Sequence, residues 1–297
     1  MIRDLDEGEI RALHFELLLK DIIATAERLP PFPDVAWKVA ALIRKSAPAK
    51  EIEAVIRSDP RIAAGVLTLG QSGHYGRNAR LGSVEDAVVL LESGKLVEII
   101  LSASASRYFE GEGGEQEMKH TEVWKHSVAA AVAAEITARK LKDRKALTVF
   151  TASLLHDIGK TVLDLYKKIY IDSRICEAAR ENAPLIDLES TALGINHQEL
   201  GEHICRRWRF PPEVVSAVGN HHCPQKAASD PHIAAMVHAA NVMARAAEKN
   251  RDKESVTLEP ARDPFFIRLG ISEKMTAEIM EELELAMDDI HLFLVSC

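Results

Sequence analysis

The chain has 297 residues, of which 47% are apolar and 28% charged, a globular composition that excludes extended disorder. Its 37 basic and 45 acidic residues leave a net charge of -8, which excludes the broad positive field that non-specific nucleic-acid binding requires. Met1–Ile10 is charged and carries no signal-like apolar run. No apolar stretch reaches the roughly 18 residues of a membrane span, so a cytoplasmic protein that does not cross a membrane is expected. Cys176, Cys205, Cys223 and Cys297 are scattered without a CxxC pair and read as reduced thiols.

Helical periodicity dominates from the start. Ile10, Leu13, Leu17 and Leu18 are expected on one buried face, followed by Val35, Val39, Leu42 and Ile43, then by Ile52, Val55 and Ile56. The run Leu29-Pro30-Pro31-Phe32-Pro33 separates the first of these helices from the second. Gly70 to Gly76 reads as a loop connecting helices, with Gln71, Ser72, His74 and Tyr75 as its polar groups. Ser83 opens another helix, with Asp86 as a shorter capping-box partner and Val84, Ala87, Val88 and Leu91 facing inward.

The acidic, glycine-rich segment Glu110 to Glu117 marks a boundary. The expected organisation is an N-terminal helical subdomain over residues 1–112, a histidine-bearing helical subdomain over 113–250 and a helical extension over 251–297. Arg206, Arg207 and Arg209, like the run Lys140 to Lys145, read as solvated helix faces. No strand alternation bounded by hairpin turns is visible, and aromatic residues are only 5%, so the fold class is all-α.

Seven of the 12 histidines lie between His120 and His222, most of them on otherwise apolar helix faces. Burying an imidazole is costly unless it bonds to something. Glu122 and His126 are four apart and share a helical face, which the slim run Ala129 to Ala134 continues. Leu154 and Leu155 run directly into His156-Asp157, with Gly159 expected to stop that helix. His197 shares its face with Leu200, Gly201, Ile204 and Trp208. His221-His222 follows Val214, Ala217 and Val218, and Asn241 shares a face with Ile233, Val237 and Ala244.

One histidine on an apolar face is ordinarily a satisfied core residue. Five histidines and two acids on inward faces of successive helices form a costly core unless they hold a cation. Imidazole and carboxylate donors suit iron, manganese, zinc or nickel, and their number exceeds what one tetrahedral ion needs.

These stretches together resemble the HDOD family (HD-related output domain), a branch of the HD-domain superfamily of metal-dependent phosphohydrolases. The resemblance is carried by Leu29 to Pro33, Ser58-Asp59-Pro60, Gln71 to Gly76, Ser83 to Leu91, Trp124 to Ser127 and Leu155 to Lys160. It continues through Asn196-His197, Gly201, Trp208, Pro211-Pro212 and His221 to Pro224, covering roughly residues 20–250. It implies an HD-domain-like helical bundle and a bacterial cytosolic signalling role, in a family where many members look like degenerate HD domains.

The ligand set is similar to that of the related HD-GYP phosphodiesterases. Glu122, His126, His156, Asp157, His197, His221 and His222 fall on metal-ligand positions of that family, and Asn241 stands where an aspartate is usual. The GYP motif is missing, with Cys223-Pro224-Gln225 after His222, so cyclic-di-GMP hydrolysis is not expected.

The resemblance implies two divalent ions, iron or manganese before zinc or nickel, bridged by Asp157. His126, His156 and Asn241 would serve one ion, His197, His221 and His222 the other, and Glu122 would be an extra ligand or would orient one. If the centre is catalytic, Asp157 and Lys160 are the acting residues, with Lys160 stabilising charge on a phosphate oxygen. The expected function is a signal-transduction output protein with a metal site. The alternative is an active metal-dependent phosphohydrolase or phosphodiesterase, and nucleic-acid binding is opposed by the acidic charge. The expected partner is a signalling protein or a nucleotide ligand.

Overall fold

Proline and capping residues set where the helices of the N-terminal half begin. The structure, a computed structural model, describes residues 7–76, 81–109, 115–170, 184–251 and 258–296. Helix α1 (Glu7–Arg28) stops before the proline run, and α2 (Val35–Arg44) and α3 (Ala49–Arg57) follow it. Asp59 caps α4 (Pro60–Leu69), accepting from the backbone N–H groups of Arg61 at 3.0 Å and Ile62 at 3.3 Å, with Pro60 at the first helical position. The short turn α5 (Gly73–Gly76) lies within the segment expected to be a loop, and α6 (Val84–Leu90) and α7 (Ser93–Ser106) complete this half. Ser83 caps α6 through Asp86 N–H at 3.0 Å, while the Asp86 carboxylate reaches back to Gly82 N–H at 2.9 Å.

The second half comprises α8 (Glu115–Leu141), α9 (Ala146–Leu155), α10 (Ile158–Tyr170), α11 (Leu185–Leu193), α12 (His197–Arg207), α13 (Pro212–Gly219) and α14 (Pro231–Arg251). Two further helices, α15 (Pro264–Leu269) and α16 (Glu273–Ser296), end the described chain. Among the described residues there is no strand, so the fold is all-α. No described helix is long and apolar enough to cross a membrane.

Ala129 to Ala134 are all buried, and the slim face they give α8 lets α9 and α14 pack closely against it. One apolar core runs from Leu18 and Ile22 of α1 to Leu283 and Met287 of α16. The boundary segment expected at Glu110 to Glu117 falls partly outside the described residues, as do Cys176 and Cys297.

Two sequence expectations are corrected. Leu13 and Leu17 are exposed; the buried face of α1 is Leu18, Ile22 and Ala26 instead. Leucines at 13, 17 and 18 supply apolar side chains on two adjoining faces, and periodicity alone cannot choose between them. Lys140 is also more than a solvated residue: its ammonium meets Glu282 at 2.7 Å and Glu278 at 3.2 Å, bracketing α8 to α16.

Candidate metal centre

The joint between α9 and α10 positions the central pair. Helix α9 ends at Leu155, and α10 begins at Ile158. His156-Asp157 is therefore the corner between them, and both residues are buried. Gly159 does not stop α9, as its sequence position suggested. It lies in the first turn of α10, where a Cβ would sit 2.2 Å from the His197 carbonyl oxygen and 2.9 Å from Gly201 N. Gly201 is similarly tight, with Val218 Cγ1 at 2.9 Å from its hypothetical Cβ. The two glycines let α10, α12 and α13 approach closely, which brings His197 and the turn after α13 up to Asp157.

Two groups of ligand atoms result. His126, His156 and Asp157 form one, and His197, His221 and His222 form the other; within each, the atoms lie within 4.8 Å of one another. Asp157 stands between them. Its Oδ2 faces His156 Nε2 at 3.3 Å and His126 Nε2 at 3.7 Å. Its Oδ1 faces His197 Nε2 at 3.6 Å and His221 Nε2 at 3.8 Å. Lys160, one turn into α10, holds Oδ2 at 2.5 Å.

The imidazoles are oriented by acceptors behind them. His156 Nδ1 donates to the Ser153 carbonyl at 2.6 Å, and His221 Nδ1 donates to the Val218 carbonyl at 2.8 Å. His197 Nδ1 donates to Glu189 Oε2 at 2.5 Å, and the same oxygen accepts the His197 backbone N–H at 2.9 Å. With Nδ1 carrying the proton, Nε2 presents its lone pair to the centre in all three. Gln198 Oε1 fixes the next turn by accepting His222 N–H at 2.7 Å. His197 Nε2 lies 3.1 Å from His222 Nε2, so the lone pair on His197 needs either a proton from His222 or a cation shared with it.

The charges suit cation binding. Burial, reinforced by neighbouring imidazoles, holds His221 well below its usual range, and burial also lowers His156. His222 is pushed down to about 3 by burial, with the charges of His197 and Arg245 adding to it. Burial opposes charge on Asp157, yet His156 and Lys160 outweigh it and keep the carboxyl well below the usual carboxylate range. Neutral His156, His221 and His222 beside the Asp157 carboxylate are in the protonation states that ligation requires.

Sequence-predicted Asn241 joins the first group, its Oδ1 3.0 Å from His126 Nε2. Glu122 does not: it is exposed and belongs to neither group. The carboxylate that meets His126 is Glu248, at 2.9 Å from Nδ1. Sequence reasoning missed Glu189 and Glu248. Glu189 carries a signal in its complete burial among apolar neighbours, but burial is not visible in a sequence where the residue reads as one more helical glutamate. Glu248 was absorbed into the charged end of α14.

The residues fit divalent metal on a direct physical ground. His156 Nε2, His221 Nε2 and Asp157 Oδ1 are all buried and have no hydrogen-bond partner. Each such orphan costs about 1–3 kcal/mol, and cations held by the two groups would satisfy all three.

An all-helical fold that gathers histidines around a His-Asp corner defines the class of HD-type helical proteins. Within it, the chain belongs to the HDOD domain family, whose sequence pattern matches residues 29–224. An HDOD domain protein of unknown function from Geobacter sulfurreducens shares the fold with a TM-score of 0.72 at 21% identity, covering 94% of this chain and 96% of that one. A Shewanella amazonensis SB2B protein, assigned by name alone to the metal-dependent phosphohydrolases, superposes with a TM-score of 0.61 at 18% identity over 92% of this chain and 99% of its own. A Marinobacter aquaeolei VT8 protein, assigned by name to signal transduction, gives 0.63 at 21% identity over 98% of this chain and 66% of its own. A Treponema pallidum (strain Nichols) protein of uncharacterised function is 23% identical over 203 residues, 66% of this chain but only 39% of the relative's length.

Proposed function

We propose that this chain is a signal-transduction output protein whose HDOD core holds divalent metal between the two histidine groups, with Asp157 shared by two ions. The orphaned atoms His156 Nε2, His221 Nε2 and Asp157 Oδ1 carry this reading. His197, His221 and His222 would hold one ion with Asp157 Oδ1. His126 and His156 would hold the other with Asp157 Oδ2, assisted by Asn241. Glu122 is given no ligand role. Imidazole and carboxylate donors favour iron or manganese, with zinc and nickel compatible.

The His126 side is the weaker one. Asn241 offers a neutral oxygen where a carboxylate would offer charge, and the Lys160 ammonium already occupies Asp157 Oδ2. An ammonium on a shared carboxylate competes with a cation for the same oxygen. That favours a centre which stabilises or senses, acting through a protein partner or a nucleotide ligand, over one that turns substrate over.

The alternative is an active phosphohydrolase, and Lys160 favours it. Its side chain is largely buried beside the centre, where it could neutralise a phosphate oxygen. Bound divalent ions would supply Lewis-acid polarisation and a water acidic enough to act near neutral pH.

Turnover of bis(p-nitrophenyl) phosphate by protein reconstituted with iron or manganese separates the two. Bound metal without turnover supports the output reading. Turnover that Asp157→Asn abolishes supports the hydrolase. Failure to retain either metal contradicts both.

A further inference from the structure

The peptide between His221 and His222 joins two histidines of the same ligand group, so its plane constrains the directions in which both rings leave the chain. It lies beyond the end of α13, outside any helix. Among the described residues neither its N–H nor its C=O bonds to main chain. Side chains hold both instead. Gln198 of α12 accepts the His222 N–H at 2.7 Å, and His238 of α14 donates from Nδ1 to the His221 carbonyl at 3.0 Å. His221 is fully buried, and a buried backbone group without a partner is costly.

The far edge of the His238 ring is anchored in turn. Its Nε2 meets Asp263 Oδ2 at 3.0 Å, and the ring packs edge to face on Phe265 with centroids 4.8 Å apart. Asp263 divides its carboxylate between two tasks. Oδ1 caps α15, accepting from Phe265 N–H at 2.8 Å and Phe266 N–H at 3.4 Å, while Oδ2 serves His238. Bonded groups thus run without a gap from the His221 carbonyl to the first turn of α15. Asn241, three residues after His238 and on the same face of α14, meets His126. One helix face therefore addresses both ligand groups.

We propose that His238 is a positioning residue of the metal centre, and that through it Asp263 links the C-terminal extension to metal binding. The inference rests on the metal-centre reading above and adds how that centre communicates with the rest of the chain. Gln198 and His238 hold opposite ends of one peptide, so release of either frees the peptide to rotate and the two rings to diverge. The linkage is reciprocal: whatever the docking of α15 contributes to metal binding, metal binding contributes to the docking of α15.

The test is calorimetric titration of the full chain with manganese, alongside hydrogen exchange of the segment carrying Phe265 and Phe266. His238→Phe keeps a ring against Phe265 and removes both hydrogen bonds. It is expected to weaken manganese binding by about 10–100-fold. Asp263→Ser keeps a helix cap but loses the oxygen that meets His238, and should weaken binding by a smaller factor. His238→Asn retains a donor for the His221 carbonyl without reaching Asp263, so it should match Asp263→Ser and lie between wild type and His238→Phe. Manganese should slow exchange at Phe265 and Phe266 in the wild type and not in His238→Phe. A merely structural His238 would lower the metal-free melting temperature and leave the manganese affinity of the folded protein unchanged. Wild-type affinity in both His238→Phe and Asp263→Ser, or exchange at Phe265 and Phe266 that ignores manganese in the wild type, overturns this inference and leaves the metal reading standing. No manganese bound to the wild type overturns the metal reading and this inference with it.

Discussion

Gly159 of α10 and His197 of α12 meet backbone to backbone: a Cβ at position 159 would lie 2.2 Å from the His197 carbonyl oxygen. The contact joins the residue two places after Asp157 to a histidine of the opposite group. Neither partner can yield, because both atoms belong to main chain inside packed helices. Gly159→Ala is expected to destabilise the fold by about 2–4 kcal/mol and to reduce metal content, as α10 and α12 are forced apart. Urea denaturation together with metal analysis checks it, and wild-type values in both would show that the crossing is looser than described.

Glu189 sets the His197 ring by accepting both its Nδ1–H and its backbone N–H on one oxygen. Carboxylates behind ligating histidines typically govern metal affinity by about 10–100-fold. Glu189→Gln should weaken metal binding within that range while the folded helical signal persists. Metal titrations monitored by calorimetry report it.

Lys160 is the cation that compensates Asp157 in the metal-free protein. Lys160→Met leaves a buried carboxylate facing neutral imidazoles, a loss of about 2 kcal/mol in stability without metal. Added manganese replaces the missing charge, so the difference between variant and wild type should shrink when metal is present. Thermal unfolding with and without manganese gives the comparison.

Asn241→Asp introduces a charged oxygen at the place where Asn241 meets His126. Metal should bind more tightly, and the gain should appear in the weaker of two binding steps. Unaltered affinity would mean that Asn241 has no part in holding an ion.

Away from the centre, Glu98 predicts a pH dependence of stability. Burial, with the Glu135 carboxylate adding to it against the Lys95 ammonium, raises the Glu98 carboxyl from 4.5 to about 7. Lys95 Nζ lies 3.3 Å from Glu98 and 3.2 Å from Glu135, so one ammonium serves two buried carboxyls. The fold holds this proton more tightly than the unfolded chain does. The stability it contributes is complete below pH 4.5 and is lost as the pH rises through 7. Glu98→Gln keeps the neutral form at every pH. It should match the wild type near pH 4 and exceed it by about 1–3 kcal/mol at pH 8, as urea denaturation at both values would show.

The parts legible in the sequence were those written in residue type and spacing. His126, His156, Asp157, His197, His221, His222 and Asn241 sit on apolar faces, and the structure brings all of them together. Ser83 announced its helix, and the apolar period gave the all-α class. What stayed hidden depends on three-dimensional packing. Gly159 has the same appearance at a helix stop and at a helix crossing, and only the crossing partner tells them apart. Glu122 lies on α8 with His126 itself and Glu248 on α14, 126 residues apart in the chain. Spacing from His126 favoured Glu122, whereas the packing of α14 against α8 selected Glu248. The exposed leucines of α1 similarly reflect which of two apolar faces the rest of the fold covers.

The most direct test of the metal centre is the ion content of protein purified without chelators, measured by mass spectrometry alongside Asp157→Ala. Shared coordination through Asp157 predicts about two divalent ions per wild-type chain and near-complete loss of both in the variant. Folded wild-type protein carrying far less than one ion per chain, even after incubation with iron or manganese, would contradict it.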